Sequence, residues 1–268
     1  MSNQPIGLLD SGFGGLSVMS AIRAQEPLEN LIYTADCGFA PWGDRDDAFI
    51  QKRVDTIVDY LLSRDIKALV IACNTATAIS AEALRERLSI PVIGIEPAVL
   101  PAARATQTKA VAVMATVKTI DSERYASLKA RVEDPEIQII DCPCPGLMEC
   151  VEAGAFHSKT TRQLIEHFVS PLLEHNIDQI VLGCTHYPFL EEEIQAVAGS
   201  HISLINPAPA VARHLYSVLD EKGMLSKSAV AGTEEFYVTG ANPERERVLR
   251  VLWHKEVLLK ELPSSSTR

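Results

Sequence analysis

Two cysteines stand where apolar, strand-forming runs give way to polar residues. One lies in Leu69-Val-Ile-Ala-Cys-Asn-Thr-Ala-Thr-Ala78, the other in Gln179-Ile-Val-Leu-Gly-Cys-Thr-His-Tyr-Pro188. A cysteine at the start of a helix differs chemically from one in a core. The helix dipole and unpaired N–H groups favour the thiolate over a thiol whose ordinary pKa is about 8.5. Either cysteine alone is explained as a small buried residue. Cys73 and Cys184 together, followed by Asn-Thr and by Thr-His, ask for a joint chemistry. A redox dithiol calls for C-x-x-C, which neither cysteine has. A Cys–His nucleophile leaves the second cysteine idle. An opposed acid and base uses both: one thiolate removes a proton from carbon, the facing thiol delivers a proton to the other side, and a stereocentre inverts.

The neighbouring residues suit a small acidic substrate. Asn74, Thr75, Thr116 and Thr185 bring hydroxyl, amide and backbone donors to expected helix starts, where carboxylates bind well. Asp10, at the end of the first apolar run, offers a counter-charge to an ammonium group, and His186 stands two residues beyond Cys184. Asp10 and His186 are thus the expected assistants of the two thiols. The loop Asp10-Ser-Gly-Phe-Gly-Gly15 also invites a dinucleotide reading. Ser17 replaces the last glycine of that fingerprint, however, and Asp10 would repel a pyrophosphate. The glycines are better explained by a tight turn and close approach.

Such residues need a scaffold that delivers them from strand ends. Short β-rich runs occur at Ile6–Leu9, Leu31–Thr34, Ala68–Ala72, Val92–Ile95, Ala110–Met114, Ile137–Ile140, Gln179–Leu182 and Ile202–Ile205. Helical periodicity separates them; in Asp46–Arg64, for example, Ile50, Val54, Ile57, Val58 and Leu61 share one face. Alternating strands and helices predict α/β architecture with mostly parallel sheets flanked by helices. The second half echoes the first. ALVIACNT is followed by VIGIEPAVLPAA, QIVLGCTH by ISLINPAPAVA, and GLLDSG resembles VAVMATVK. We expect two similar lobes related by a pseudo-twofold axis: residues 1–97 completed by 207–268, and residues 98–206. Ligands in open α/β sheets bind beyond the carboxyl ends of the strands. The two cysteines are therefore expected to face each other across an interlobe cleft.

Composition narrows the function classes. The 268 residues are 47% hydrophobic and 22% charged, with a formal net charge of −10. That balance and the lack of a basic stripe argue against nucleic acid, whose phosphates need clustered Lys and Arg. No apolar run approaches the roughly 20 residues that span a bilayer, and the N-terminus lacks a signal-peptide pattern. A cytoplasmic protein with no membrane partner is expected. Cys142, Cys144, Cys150 and His157 match no common zinc spacing.

The motifs IGLLDSGFGGLSV, PWGDR, ACNTATA, ATVKT, CPGLMECVEAG and GCTHYP occur in this order between Ile6 and Tyr237. In them the chain resembles the bacterial glutamate racemases of the cofactor-independent aspartate/glutamate racemase superfamily. The resemblance implies that Cys73 and Cys184 are the two catalytic thiols, one acting on each enantiomer, and that Asp10 and His186 assist them. It assigns Ser11, Trp42, Gly43, Asn74, Thr75, Thr116 and Thr185, with Asp10 and His186, to substrate binding. It further implies no pyridoxal phosphate and no metal, a homodimer, and supply of D-glutamate for peptidoglycan. Two positions depart from the family pattern: Trp42 stands in place of the usual tyrosine of Pro-Tyr-Gly, and Glu149 where many relatives carry proline. Racemisation of aspartate or another amino acid on the same scaffold is the enzymatic alternative. A two-lobed protein that binds an acidic ligand without turning it over is the non-enzymatic one.

Overall fold

The computed structural model of the protein describes residues 3–263. The chain divides into two compact units. One takes the chain up to Ile95 and again from Ala208 onward; the other is Glu96–Pro207.

The first unit begins with β1 (Ile6–Asp10), α1 (Leu16–Gln25), β2 (Leu31–Ala35), α2 (Asp47–Ser63), β3 (Ala68–Ile71), α3 (Asn74–Arg87) and β4 (Val92–Gly94). The second unit runs α4 (Val99–Ala105), β5 (Ala110–Ala115), α5 (Val117–Ile120), α6 (Glu123–Ala130), β6 (Gln138–Pro143), α7 (Leu147–Glu152), α8 (Lys159–Leu173), β7 (Gln179–Leu182), α9 (Glu191–Ala198) and β8 (Ser203–Ile205). The chain then adds α10 (Ala208–Glu221), β9 (Glu234–Val238), α11 (Pro243–Trp253) and β10 (Leu259–Glu261).

Among the described residues the first unit holds a six-stranded sheet, β10-β9-β2-β1-β3-β4, and the second a four-stranded sheet, β6-β5-β7-β8. Every strand pair in both sheets is parallel. The α/β architecture is the one the alternation predicts. Both faces of such sheets carry helices, so the central strands are buried throughout: β1, β2, β3, β5 and β7 show no exposed position. Helix α2 follows its periodicity closely. Ile50, Val54, Ile57, Val58 and Leu61 are its buried residues, and Asp46 caps its start by accepting from the Phe49 N–H.

The two sheets share a topology. In each, the second strand pairs on one side of the first, the third strand pairs on its other side, and the fourth continues beyond the third. The chain thus reverses direction across the sheet between β1 and β3, and again between β5 and β7. Such a switch point leaves a crevice beyond the carboxyl ends of the two strands. Asp10 closes β1, and Cys73 follows β3; Thr116 follows β5, and Cys184 follows β7. Each unit therefore carries its own pair of candidate residues at its own switch point.

Several sequence expectations need correction. Strands β1, β2, β5 and β6 run further than the apolar runs, whereas β3, β4 and β8 are shorter. Parallel pairing, not hydrophobicity, sets those ends: β6 continues through Asp141, Cys142 and Pro143 because β5 pairs with it as far as Ala115. Strands β9 and β10 were not visible in the sequence. Their residues include Glu234, Glu235, Lys260 and Glu261, and charges of this kind are how sheet margins resist stray pairing. Here Glu235 accepts from Arg64, Tyr237 and Lys260.

Candidate active site

In the first unit the strand ends deliver Asp10, Ser11 and Cys73 together. Cys73 is the N-cap of α3, and its sulfur accepts from the Ala76 N–H at 3.5 Å. The Ser11 hydroxyl lies 3.7 Å from the same sulfur. A backbone donor and a helix N-terminus aimed at sulfur favour negative charge on it. Asp10 is wholly buried, and its carboxylate accepts from the Ser11 and Gly15 N–H groups. These bonds decide the dinucleotide question. Two of the donors that a phosphate would use at this turn, the Ser11 and Gly15 N–H groups, are already taken by a carboxylate of the protein itself. Gly15 is needed for this approach, since a Cβ there would meet Asp10 and Ala72 at 2.9 Å.

Asn74 opens α3, with Thr75 beside it in the first turn, and both are buried. Neither amide atom of Asn74 has a hydrogen-bond partner among the described residues. A buried amide left unpaired costs about 1–3 kcal/mol, so this one is suited to groups that a ligand brings. Trp42 and Gly43 lie in the loop between β2 and α2. That loop is tied down by Asp36, whose buried carboxylate accepts two bonds from Arg53 and one from Thr239.

Cys184 in the second unit sits differently from the expectation of a helix start. The chain makes a 3-10 turn at Tyr187–Leu190 before α9 begins at Glu191. The thiol instead has a side-chain partner: His186 Nδ1 lies 3.6 Å from its sulfur. The other ring nitrogen, Nε2, is 2.8 Å from the Glu152 carboxylate at the end of α7. Burial alone pushes the His186 pKa down. The hydrogen bonds and negative charge of Cys184 and Glu152 outweigh it and hold the imidazole well above its ordinary 6.5. The site thus favours a positive ring between a sulfur and a carboxylate. Gly183 lets the strand end pass beneath β5, because a Cβ there would lie 2.7 Å from the Met114 carbonyl oxygen. Thr185 is buried beside the thiol. Thr116 caps α5: its hydroxyl accepts from the Thr119 N–H and donates to the Thr119 hydroxyl.

The two thiols therefore have unlike supports, a helix N-terminus and a serine for Cys73, an imidazole and carboxylate for Cys184. Glu152 lies within CPGLMECVEAG, but the sequence does not mark it as a site residue. Its signal is visible only in three dimensions, because 34 residues separate it from His186. His157 is bonded to Glu193. Among the described residues no cluster of His, Cys, Asp and Glu is arranged to hold a metal ion.

Trp42 is 1% exposed and packs in the same apolar cluster as Leu9, Ile71 and Cys73. Its indole N–H has no partner among the described residues. The side chain thus works by filling space in the cluster that also holds Cys73. Trp42→Tyr is expected to change kcat/KM for glutamate by less than roughly tenfold, about 1.4 kcal/mol. A larger gain on installing tyrosine, in steady-state assays of both enantiomers, would show that the phenol hydroxyl matters there.

The family model for Asp/Glu/Hydantoin racemase matches residues 19–215. A glutamate racemase of Pseudomonas paraeruginosa is 44% identical over 250 residues, which cover 93% of this chain and 94% of the relative. Among solved structures, a glutamate racemase isoform from Bacillus anthracis superposes with a TM-score of 0.90 at 33% identity, covering 98% of each chain. The glutamate racemase of Francisella tularensis, solved in complex with D-glutamate, superposes with a TM-score of 0.86 at 30% identity over the whole of both chains. No helix among the described residues is long and apolar enough to cross a membrane.

Proposed function

The chain belongs to the glutamate racemases of the Asp/Glu/Hydantoin racemase family, and from that premise we propose that it interconverts L- and D-glutamate with Cys73 and Cys184 as the acid/base pair. The observation that carries the mechanism is that each thiol has a dedicated polar partner set, Ser11 and the α3 N-terminus for one, His186 and Glu152 for the other. In each direction one sulfur takes the Cα proton as thiolate while the other gives a proton as thiol, and the two exchange roles in reverse.

The reaction demands that the two sulfurs act on opposite faces of Cα. It also demands donors for the charge that spreads into the α-carboxylate as the proton leaves. Asn74, Thr75 and Thr185, with the backbone at Ser11, Gly43 and Thr116, are proposed to hold the two carboxylates. Asp10 is proposed to meet the ammonium group and assist Cys73. The unpaired amide of Asn74 supports this assignment. The Francisella relative, bound to D-glutamate, supports the choice of substrate. A cytoplasmic homodimer supplying D-glutamate to peptidoglycan completes the proposal.

Circular dichroism of glutamate solutions tests it directly. Protein dialysed against a chelator, with no pyridoxal phosphate added, is expected to bring L-glutamate and D-glutamate to zero rotation, and to act on aspartate far more slowly. Activity that returns only on adding a metal or pyridoxal phosphate would overturn the proposal. Comparable turnover of aspartate would move the substrate assignment.

A further inference from the structure

Besides Cys184, the second unit carries a pair of thiols that the proposed racemisation does not use. Cys142 lies in β6 and Cys144 just beyond its end, separated by Pro143. Residues two apart on a strand share a face, and their sulfurs stand 3.6 Å apart. Extended backbone places such Cα atoms about 6.6 Å apart, inside the roughly 4.4–6.8 Å that a disulfide spans. Both are free cysteines.

We infer that Cys142 and Cys144 form a reactive dithiol that closes into an internal disulfide by exchange with a small-molecule disulfide. The Cys142 thiolate attacks one sulfur of the incoming disulfide and releases the first small thiol. The Cys144 thiol then loses its proton to solvent and attacks Cys142 Sγ, expelling the second small thiol. The protein loses two hydrogens and two electrons, and the small disulfide becomes two thiols. Cys142 is suited to attack first. Both thiols are buried, Cys142 the less so at 8% exposure against 2%; Cys142 lies on the outermost strand of its sheet, and its contact with the Cys144 thiol draws its pKa below the ordinary thiol value. Burial pushes Cys144 the other way, so Cys144 is the resolving group.

Closing this pair reaches the candidate active site. The Cys144 carbonyl accepts from the Tyr187 hydroxyl at 3.2 Å, and its N–H donates to the Ala115 carbonyl at 2.9 Å. Tyr187 directly follows His186, and Ala115 directly precedes Thr116. Drawing the sulfurs from 3.6 Å to the roughly 2.05 Å of a disulfide pulls on both anchors. Displacements near 1 Å in such supports cost up to about a hundredfold in rate.

Glutathione disulfide is the probe, applied to the full chain. Mass spectrometry is expected to find two hydrogens lost and no adduct, with fragment ions assigning the link to Cys142 and Cys144 rather than Cys150. Cys142→Ser is expected to lose no hydrogens under the same treatment. Links to Cys184, lasting adducts in place of a link, or no reaction at all would overturn the inference. These readouts stand whether or not the protein is a racemase. The effect on turnover rests on the proposed function. Oxidised protein is expected to lose racemase activity by roughly tenfold or more and regain it with dithiothreitol. Cys142→Ser should keep its activity in the oxidant, and equal inactivation of that variant would overturn the link to the site. Cys142→Ala checks that the serine has not disturbed packing.

Discussion

Cys73→Ala and Cys184→Ala are each expected to lower kcat/KM for glutamate racemisation by about a thousandfold or more, ~4 kcal/mol. The reason is stoichiometric: in the proposed two-thiol mechanism each direction needs one thiolate and one thiol, so neither cysteine can be spared. L- and D-glutamate are equally stable, so kcat/KM must fall equally in both directions, whatever happens to kcat and KM separately. Heavy water separates the two sulfurs further. In the native protein, the first D-glutamate formed from protiated L-glutamate should carry deuterium at Cα, because the delivering thiol has exchanged with solvent. The recovered L-glutamate should stay largely protiated at early times. A variant with one thiol left still has a base for one enantiomer. It should exchange the Cα hydrogen of that enantiomer slowly without inverting it, and the two variants should favour opposite enantiomers. Chiral separation followed by mass spectrometry at low conversion measures all three. Early deuterium in the recovered L-form equal to that in the product would refute two bases in favour of one.

Much of this arrangement is legible in the sequence because strand ends advertise themselves. An apolar run that stops on Asp10, Cys73 or Cys184 marks the carboxyl end of a parallel strand, where such sheets put their chemistry. The α2 periodicity and the echo between the two halves are equally local signals, and the shared strand order of the two sheets bears out that echo. What escapes is whatever depends on pairing between distant segments. The helix start expected at Cys184 fails because Tyr187-Pro-Phe-Leu forms a 3-10 turn first, and one helix-favouring pattern serves both outcomes. Glu152 was invisible because nothing in a linear chain says that α7 ends beside His186. Strands β9 and β10 hid because their charges are balanced by partners far away, such as Arg64 near the end of α2.

The second large effect is carried by His186, and it separates a chemical role from a packing one through pH. His186→Asn keeps a polar side chain in the site but removes the group that bears a proton between Cys184 and Glu152. It should lower kcat/KM by about a hundredfold, the lower range for a positioned acid/base group. A defect in packing alone would give a loss of stability that does not depend on pH. The raised pKa of His186 predicts otherwise. Its folded value lies above the unfolded 6.5, so the folded state binds the proton more tightly. That contribution to stability is complete below about 6.5 and is lost as pH rises through the folded value. The gap in unfolding free energy between native protein and His186→Asn should therefore be widest in mild acid and narrow steadily in alkali. Urea titrations across that range, compared at equal m-values, measure the gap. Glu152→Gln should fall between the two. It removes one of the two partners that hold the proton while leaving Cys184 in place, so the pH-dependent part should shrink without vanishing. A gap between native protein and His186→Asn that stays constant with pH would mean that folding leaves the His186 pKa where it is in the unfolded chain, and that Glu152 only anchors the ring.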